Sequence, residues 1–194
     1  MWSEPVQPKE RVNSNNRESS ISVTEDQNEI FFTSDKSKGI GGRDIYYVKR
    51  VRRNKWTKPE NMGDKINSPD NEESVYVSPG GDTIWFSSNR PGGMGGYDIY
   101  MSVRSDTGAW SEPLNIGMPA NSQSNDLFYK PSLYKADEAW FASDRPGGYG
   151  GFDIYKINFL EAGPEEKALP DTMQLKTDSL KHNPDTLFIP HINT

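Results

Sequence analysis

The chain repeats one segment three times at a nearly constant spacing. The stretch Ser-Asn-Arg-Pro-Gly-Gly-Met-Gly-Gly-Tyr-Asp-Ile-Tyr at 88–100 recurs almost unchanged at 143–155, and a diverged copy lies at 34–46. A Trp-x-x-Pro segment keeps the same period, since the three tryptophans are 54 positions apart at 2, 56 and 110. A fixed period near 50 residues is typical of propellers and solenoids, so this repeat constrains the fold more than any other feature.

Each period contains short strand-like runs separated by turn sequences. In the second period, residues 75–78 and 83–88 are rich in β-branched and aromatic residues, and a Pro-Gly-Gly-Asp turn separates them. A third run begins at Asp98 and a weaker fourth run at Trp110. Residues 1–160 have no competing helical periodicity. The sequence therefore predicts an all-β fold of three four-stranded antiparallel propeller blades, which form part of a larger propeller.

The second strand of each predicted blade is apolar on both faces. Residues 30–32, 84–86 and 139–141 read Ile-Phe-Phe, Ile-Trp-Phe and Ala-Trp-Phe. A strand with one face in water would alternate apolar and polar residues instead. The pattern predicts that these strands are buried between neighbouring blades.

The period also sets the expected domain organisation. The blade repeats fall near 18–67, 72–121 and 126–159, residues 1–6 form an orphan blade strand, and residues 161–194 form a linker or disordered tail. The orphan segment has two interpretations. In the first, the segment completes blade three, and the chain closes into a very small ring. In the second, the chain is a fragment, and the segment completes a blade in the truncated upstream region. The second is favoured because closed propellers typically have four to eight blades.

Three motifs resemble the WD-repeat-like β-propeller repeats of exported bacterial proteins, of the TolB type. They are the Ser-Pro-Gly-Gly-Asp turn at 78–82, the Arg-Pro-Gly-Gly-x-Gly-Gly-x-Asp-Ile-Tyr stretches at 90–100 and 145–155, and the Trp-Ser-x-Pro segments. The repeats are most similar to those of OmpA-like envelope proteins of the Bacteroidetes type. The first copy departs from the motif, with Lys36 at the arginine position and Arg43 at an aromatic one.

The resemblance covers residues 22–159 and carries functional expectations. It implies a non-enzymatic scaffold in the periplasm or at the outer membrane, with a protein partner in the cell envelope. It also implies a role in outer-membrane integrity or secretion.

Composition excludes several classes of function. The net charge of −6 argues against a nucleic-acid partner, and the basic cluster at 49–55 is interpreted as a solvated hairpin. Without cysteine there are neither disulfides nor thiolate metal sites. The first residues lack the basic and apolar regions of a signal peptide, and no apolar run is long enough to span a membrane.

The sequence offers little for catalysis. Both histidines, His182 and His191, lie in the predicted tail, and no Gly-x-Ser-x-Gly motif occurs. We therefore expect no catalytic residues, no metal site and no cofactor. Two alternatives remain open. One is a carbohydrate-binding or glycosidase-like propeller with a glycan or peptidoglycan ligand, for which the carboxylates are Glu18, Glu72, Glu73 and Asp126. The other is a regulatory propeller of a larger hydrolase.

Repetition separates structural residues from candidate binding residues. A residue needed once per blade has a structural role, so Asp44, Asp98 and Asp153 are predicted to cap turns. Arg90 and Arg145 are predicted to pair with a carboxylate such as Asp98 or Asp153.

The long segments between second and third strands share one end of the blades, where recognition is expected. The candidate partner-binding residues there are Arg90, Met94, Tyr97, Arg145, Tyr149 and Phe152. Packing of Tyr97 and Phe152 under their own loops is the alternative.

Overall fold

The computed structural model describes residues 2–5, 7, 12–53 and 55–159. Within these ranges the chain forms twelve β-strands and no helix, so it contains no helix that could span a membrane. The strands are β1 (Glu18–Val23), β2 (Glu29–Ser34), β3 (Asp44–Arg52), β4 (Lys55–Trp56), β5 (Glu60–Asn61), β6 (Glu72–Val77), β7 (Thr83–Ser88), β8 (Asp98–Val103), β9 (Leu114–Asn115), β10 (Asp126–Pro131), β11 (Glu138–Ser143) and β12 (Asp153–Asn158).

The strands form three antiparallel sheets in chain order, which confirms the predicted all-β blade architecture. Blade one has the order β1-β2-β3-β4, and β5 also pairs with β3. Blade two has the order β6-β7-β8-β9. Blade three shows β10-β11-β12 within the described residues. No Trp-Ser-x-Pro segment follows residue 159 in the sequence.

The first strand of each blade carries a β-bulge at the same position. The register shifts within β1, β6 and β10, two residues after the carboxylate that begins each strand. Ser20, Ser74 and Phe128 occupy this position with φ of 43°, 54° and 58°. A bulge bends its strand and increases the local twist. The three blades therefore share an irregularity as well as a strand order.

Two layers of the hydrophobic core lie between the blades, and a third cluster of Val12, Phe32, Tyr46 and Val48 lies within blade one and the segment before it. Phe31 and Ile45 of blade one face blade two in the first layer, and Trp85 and Ile99 of blade two face blade three in the second. The first layer contains Phe31, Ile45, Ile66, Val75, Val77, Ile84, Phe86 and Tyr100. The second contains Trp85, Ile99, Met101, Ala120, Tyr129, Ala139 and Phe141. Each such burial contributes roughly 1.5–3 kcal/mol for a large side chain.

The two connectors between blades each hold the third strand of the blade that precedes them. Asn67 lies in the connector to blade two, and its side chain exchanges two hydrogen bonds with the backbone of Ile45, at 2.8 and 2.9 Å. Asn121 makes the same pair of bonds to Ile99, at 2.7 and 2.9 Å, in the next connector. Both asparagines are buried. The repeated Asn-Ser marker thus locks the third strand of the blade that precedes it.

The candidate binding face at the Gly-rich loops

The loops between the second and third strands lie at one end of the blades, and we call this end the loop face. Its loops are residues 35–43, 89–97 and 144–152. A carboxylate at the start of each third strand caps its loop. Asp44 accepts hydrogen bonds from the backbone N–H groups of Ile40 and Gly41 at 2.6 and 3.0 Å. Asp98 accepts from residues 94 and 95, and Asp153 from residues 149 and 150, in the same manner.

The glycines of these loops are required by close approach. A Cβ at Gly93 would overlap the carboxylate of Asp98, and Gly39 and Gly148 stand in the same relation to their own caps. A Cβ at Gly95 would overlap the backbone oxygen of Ser124 in the following connector. Glycine is the residue that permits such contacts. The loops are therefore rigid, packed structures.

Arg90 and Arg145 each fasten a loop to the first strand of the same blade. The Arg90 guanidinium donates to Glu72 at 3.1 Å, to the Ser88 hydroxyl at 3.0 Å and to the Ile66 carbonyl at 2.5 Å. It also lies over the rings of Phe86 and Tyr100 at 5.2 and 4.9 Å.

Arg145 repeats this arrangement with Asp126, at 2.7 Å. The expected partners Asp98 and Asp153 are wrong, because those carboxylates are occupied by backbone N–H groups. The two arginine side chains are largely buried in these contacts, so they are not free to bind a partner.

Burial and hydrogen bonding oppose each other at Glu72. The side chain is fully buried, and this desolvation raises the pKa of its carboxyl above the ordinary value. Hydrogen bonds from Ser68 and Ser88 and the charge of Arg90 act in the other direction. Burial also raises the pKa of the cap Asp98. Both groups hold the loops, and neither faces open solvent as a catalytic acid would.

Blade one uses Lys36 where the other blades use arginine. Its ammonium group lies over Phe32 and Tyr46 at 4.9 and 4.7 Å, but it is buried without a hydrogen-bond partner. Desolvation lowers the pKa of Lys36. The equivalent carboxylate, Glu18, instead bonds Ser14 and Ser34. Lysine cannot reproduce the planar fork of arginine, so this staple is incomplete.

Exposed apolar side chains stand at the tips of all three loops. Met94 and Tyr149 are 41% and fully exposed. Ile40, at the same loop position of blade one, is 40% exposed. Ile40 could not be recognised from the repeat motif because the first repeat is diverged, although its spacing from the Asp44 cap matches that of Met94 from Asp98. The tips form a row with one residue per blade.

The other two predicted binding residues differ in position. Tyr97 is partly buried, and its backbone N–H donates to the Asn125 side chain at 3.0 Å. Phe152 is 52% exposed and directly precedes β12. Neither belongs to the row of loop tips.

The opposite end of the blades carries a shallow pocket of about 380 Å³. Two of its charged groups are already paired, since Glu29 contacts Lys49 at 3.3 Å and also binds Arg104 through both carboxylate oxygens, at 2.7 and 3.1 Å. No group of three or more metal-ligating side chains occurs in the part of the chain that the structure describes. His182 and His191 lie outside the described residues.

The carboxylates considered for catalysis are engaged elsewhere. Glu18, Glu72 and Asp126 hydrogen-bond serine groups near the start of their own strands. Glu73 forms an ion pair with Arg43. Their positions agree with structural use in each blade.

No family model and no curated protein sequence matches this chain. Among solved structures it is similar to a putative TolB from Agrobacterium tumefaciens, with a TM-score of 0.51 and 17% identity over 76% of this chain and 47% of that chain. It also matches TolB from Acinetobacter baumannii, with a TM-score of 0.48 and 15% identity over 72% of this chain and 29% of that one. The chain thus spans less than half the length of either structure. The Agrobacterium match supports a propeller fold of the TolB kind.

Proposed function

We propose that this chain is a non-enzymatic β-propeller scaffold of the bacterial cell envelope that binds a protein partner on its loop face. The observation that carries the proposal is the row of loop tips formed by Ile40, Met94 and Tyr149. Apolar side chains held in water by rigid loops have an unfavourable hydration cost that a partner would relieve. Recognition residues are commonly placed on loops of a rigid scaffold.

The rigidity of the loops supports binding in particular. Each loop is held by an aspartate cap, and two of the three also by an arginine staple. A pre-organised surface loses little conformational freedom when a partner binds. The location in the envelope, in the periplasm or at the outer membrane, rests on the sequence resemblance and on the TolB-like fold. A contribution to outer-membrane integrity or secretion belongs to the same proposal.

Site-specific photo-crosslinking tests the face directly. A photoreactive phenylalanine analogue is placed at Met94 or Tyr149, and at Tyr134 as the matched control. Tyr134 is also almost fully exposed, but it lies in the turn between β10 and β11 at the opposite end of the blades. The proteins are irradiated in a bacterial envelope extract, and adducts are identified by mass spectrometry.

We expect protein adducts from the positions of Met94 and Tyr149 and none of the same mass from Tyr134. The adducts should disappear when Ile40, the loop tip of blade one, is changed to Ser. Equal labelling from both ends would refute the loop face as the binding surface. Retention on purified peptidoglycan that depends on Tyr149, without protein adducts, would replace the protein partner by a glycan.

A further inference from the structure

The outer face of blade three exposes residues that are core in blade two. Trp85 and Ile99 face blade three and are 6% and 0% exposed. Their equivalents one period later, Trp140 and Ile154, are 44% and 72% exposed. Strand β12 pairs only with β11 within the described residues, so its other edge has no strand. This end of the blade array has the composition of an interblade junction without the second blade.

Two glycines at this end of the array are at positions where no contact within the described chain requires glycine. Gly41 and Gly95 are required because a connector backbone passes against them. Gly150 and Gly151 occupy the corresponding positions in blade three, but an added Cβ on either would meet nothing within 4 Å. Neither has a positive φ that would favour glycine. Their presence fits a connector that passes over this loop from outside the described fold.

The other end of the array carries such a connector. Residues 12–14 read Val-Asn-Ser, as residues 66–68 read Ile-Asn-Ser in the connector to blade two. Asn67 is buried because it bonds both backbone groups of Ile45, whereas Asn13 is exposed. On β1, Ile21 is 66% exposed where its equivalent Val75 is buried in the first core layer. One chain therefore carries both surfaces of an interblade junction, one on the open face of blade three and the other on the open face of blade one.

The charged residues also indicate that the open faces of blade three and blade one pair with each other. Glu29 of blade one binds Arg104 of blade two through both carboxylate oxygens across the first junction. When the repeats are aligned, Glu138 on the open face of blade three is equivalent to Glu29. Arg50 on the open face of blade one is equivalent to Arg104. Arg50 already lies over Trp56 at 4.9 Å, as Arg104 lies over Trp110 at 5.3 Å.

We propose that the open face of blade three binds blade one of a second copy of this chain, so that two copies close head to tail into one six-bladed ring. A two-fold rotation about the ring axis generates both junctions, and six blades lie within the usual range for closed propellers. Asn13 of one copy then bonds the backbone of Ile154 in the other. The Trp-Ser-Glu-Pro segment, whose Trp2 is 99% exposed, is available as a fourth strand on β12.

Sedimentation velocity of the full 194-residue chain tests the ring, across a dilution series. We expect a single dimer species at high concentration. Arg50→Glu or Glu138→Arg alone should weaken dimerisation about a hundredfold, because like charges then face each other in the junction. The double variant Arg50→Glu with Glu138→Arg should dimerise again. Arg52→Glu is the matched control, since Arg52 is exposed on the same strand and should leave the dimer intact.

Gly150→Val provides a second test that does not depend on charge. The substitution adds its side chain into open space in one chain, so the monomer should keep its circular dichroism spectrum and unfolding midpoint. It should nevertheless abolish the dimer by blocking the connector. A monomer at every concentration would overturn the proposal. A ladder of higher oligomers, or single charge variants that dimerise as well as the double variant, would overturn it equally.

Discussion

The arginine staple of blade two makes a quantitative stability prediction. Arg90→Met keeps an aliphatic side chain of similar length against Phe86 and Tyr100, but it removes the hydrogen bonds to Glu72, Ser88 and Ile66. Removing one partner of a buried ion pair typically costs about 3–5 kcal/mol, because the other charge stays buried.

Two features of the site place the expected cost at the lower end of this range. Glu72 retains hydrogen bonds from Ser68, at 3.1 and 2.6 Å, and from Ser88 at 2.9 Å. The arginine side chain is also 15% exposed, so part of its interaction is screened by solvent. We therefore expect Arg90→Met to lower the free energy of unfolding by about 3 kcal/mol.

Urea unfolding followed by tryptophan fluorescence measures this loss. Arg52→Met is the control, because Arg52 is exposed at the end of β3 and its replacement should change stability by less than about 0.5 kcal/mol. The double variant with Glu72→Gln should recover part of the loss, since the uncompensated charge is gone. A loss for Arg90→Met below about 1 kcal/mol would refute the staple as a major contribution.

The same variant should show a specific dependence on pH. Burial raises the pKa of Glu72 in the folded protein, and removing Arg90 should raise it further. A carboxyl with a raised pKa contributes stability below its ordinary value of 4.5 and loses that contribution as the pH rises through the raised value. The deficit of Arg90→Met should therefore be largest near neutral pH and shrink as the pH falls towards 4.5.

Two further substitutions test other ion pairs by the same urea assay. Lys36→Arg should raise stability by about 1 kcal/mol by completing the staple with Glu18, and an unchanged midpoint would contradict the repeat equivalence. Glu29→Gln should lower stability by about 1 kcal/mol at neutral pH by removing the charge that Arg104 binds. Burial alone would raise the pKa of Glu29, but the hydrogen bonds and charge of Arg104 lower it. The contribution of Glu29 to stability is therefore present above its ordinary pKa of 4.5 and is lost as the pH falls below that value. The difference between wild type and Glu29→Gln should then vanish in acid, and a constant difference would contradict this assignment.

Most of the fold could be predicted because its signals lie close together in the sequence. Turn residues, short apolar runs and a constant period are local features, and they place the strands of blade two within a few residues of their observed bounds. Blade three shows three strands within the described residues, and the Trp-Ser-x-Pro segment that lies at or just before the fourth strand of the other blades has no copy after residue 159.

The contacts that hold the loops were harder to predict because they join residues that are distant in sequence. Asp98 follows Arg90 by eight positions, which made it the obvious partner, but the observed partner Glu72 precedes it by eighteen. The two meet because β6 and β7 pair with Glu72 opposite Ser88. Only the strand register reveals that contact.

The bulges have no sequence signal that is common to all three blades. Ser20 and Ser74 occupy the same backbone position as Phe128, all with a positive φ, so two blades use serine there and the third uses a large apolar residue. This conformation is unusual for a phenylalanine, so it is imposed by the surrounding sheet and not by local preference. Backbone irregularities of this kind repeat in the structure without repeating in the sequence.

The asparagine connectors have a consequence for synthesis on the ribosome. Each connector fastens the blade that precedes it, so Ile45 gains its two side-chain hydrogen bonds only after Asn67 has left the exit tunnel. Ile99 waits in the same way for Asn121. Since chains emerge from the N-terminus, blades one and two each pass through an interval in which their first three strands are made but the third strand is not yet locked. During synthesis the third strand of blade one is thus locked first, and that of blade two is locked only when the next connector has emerged.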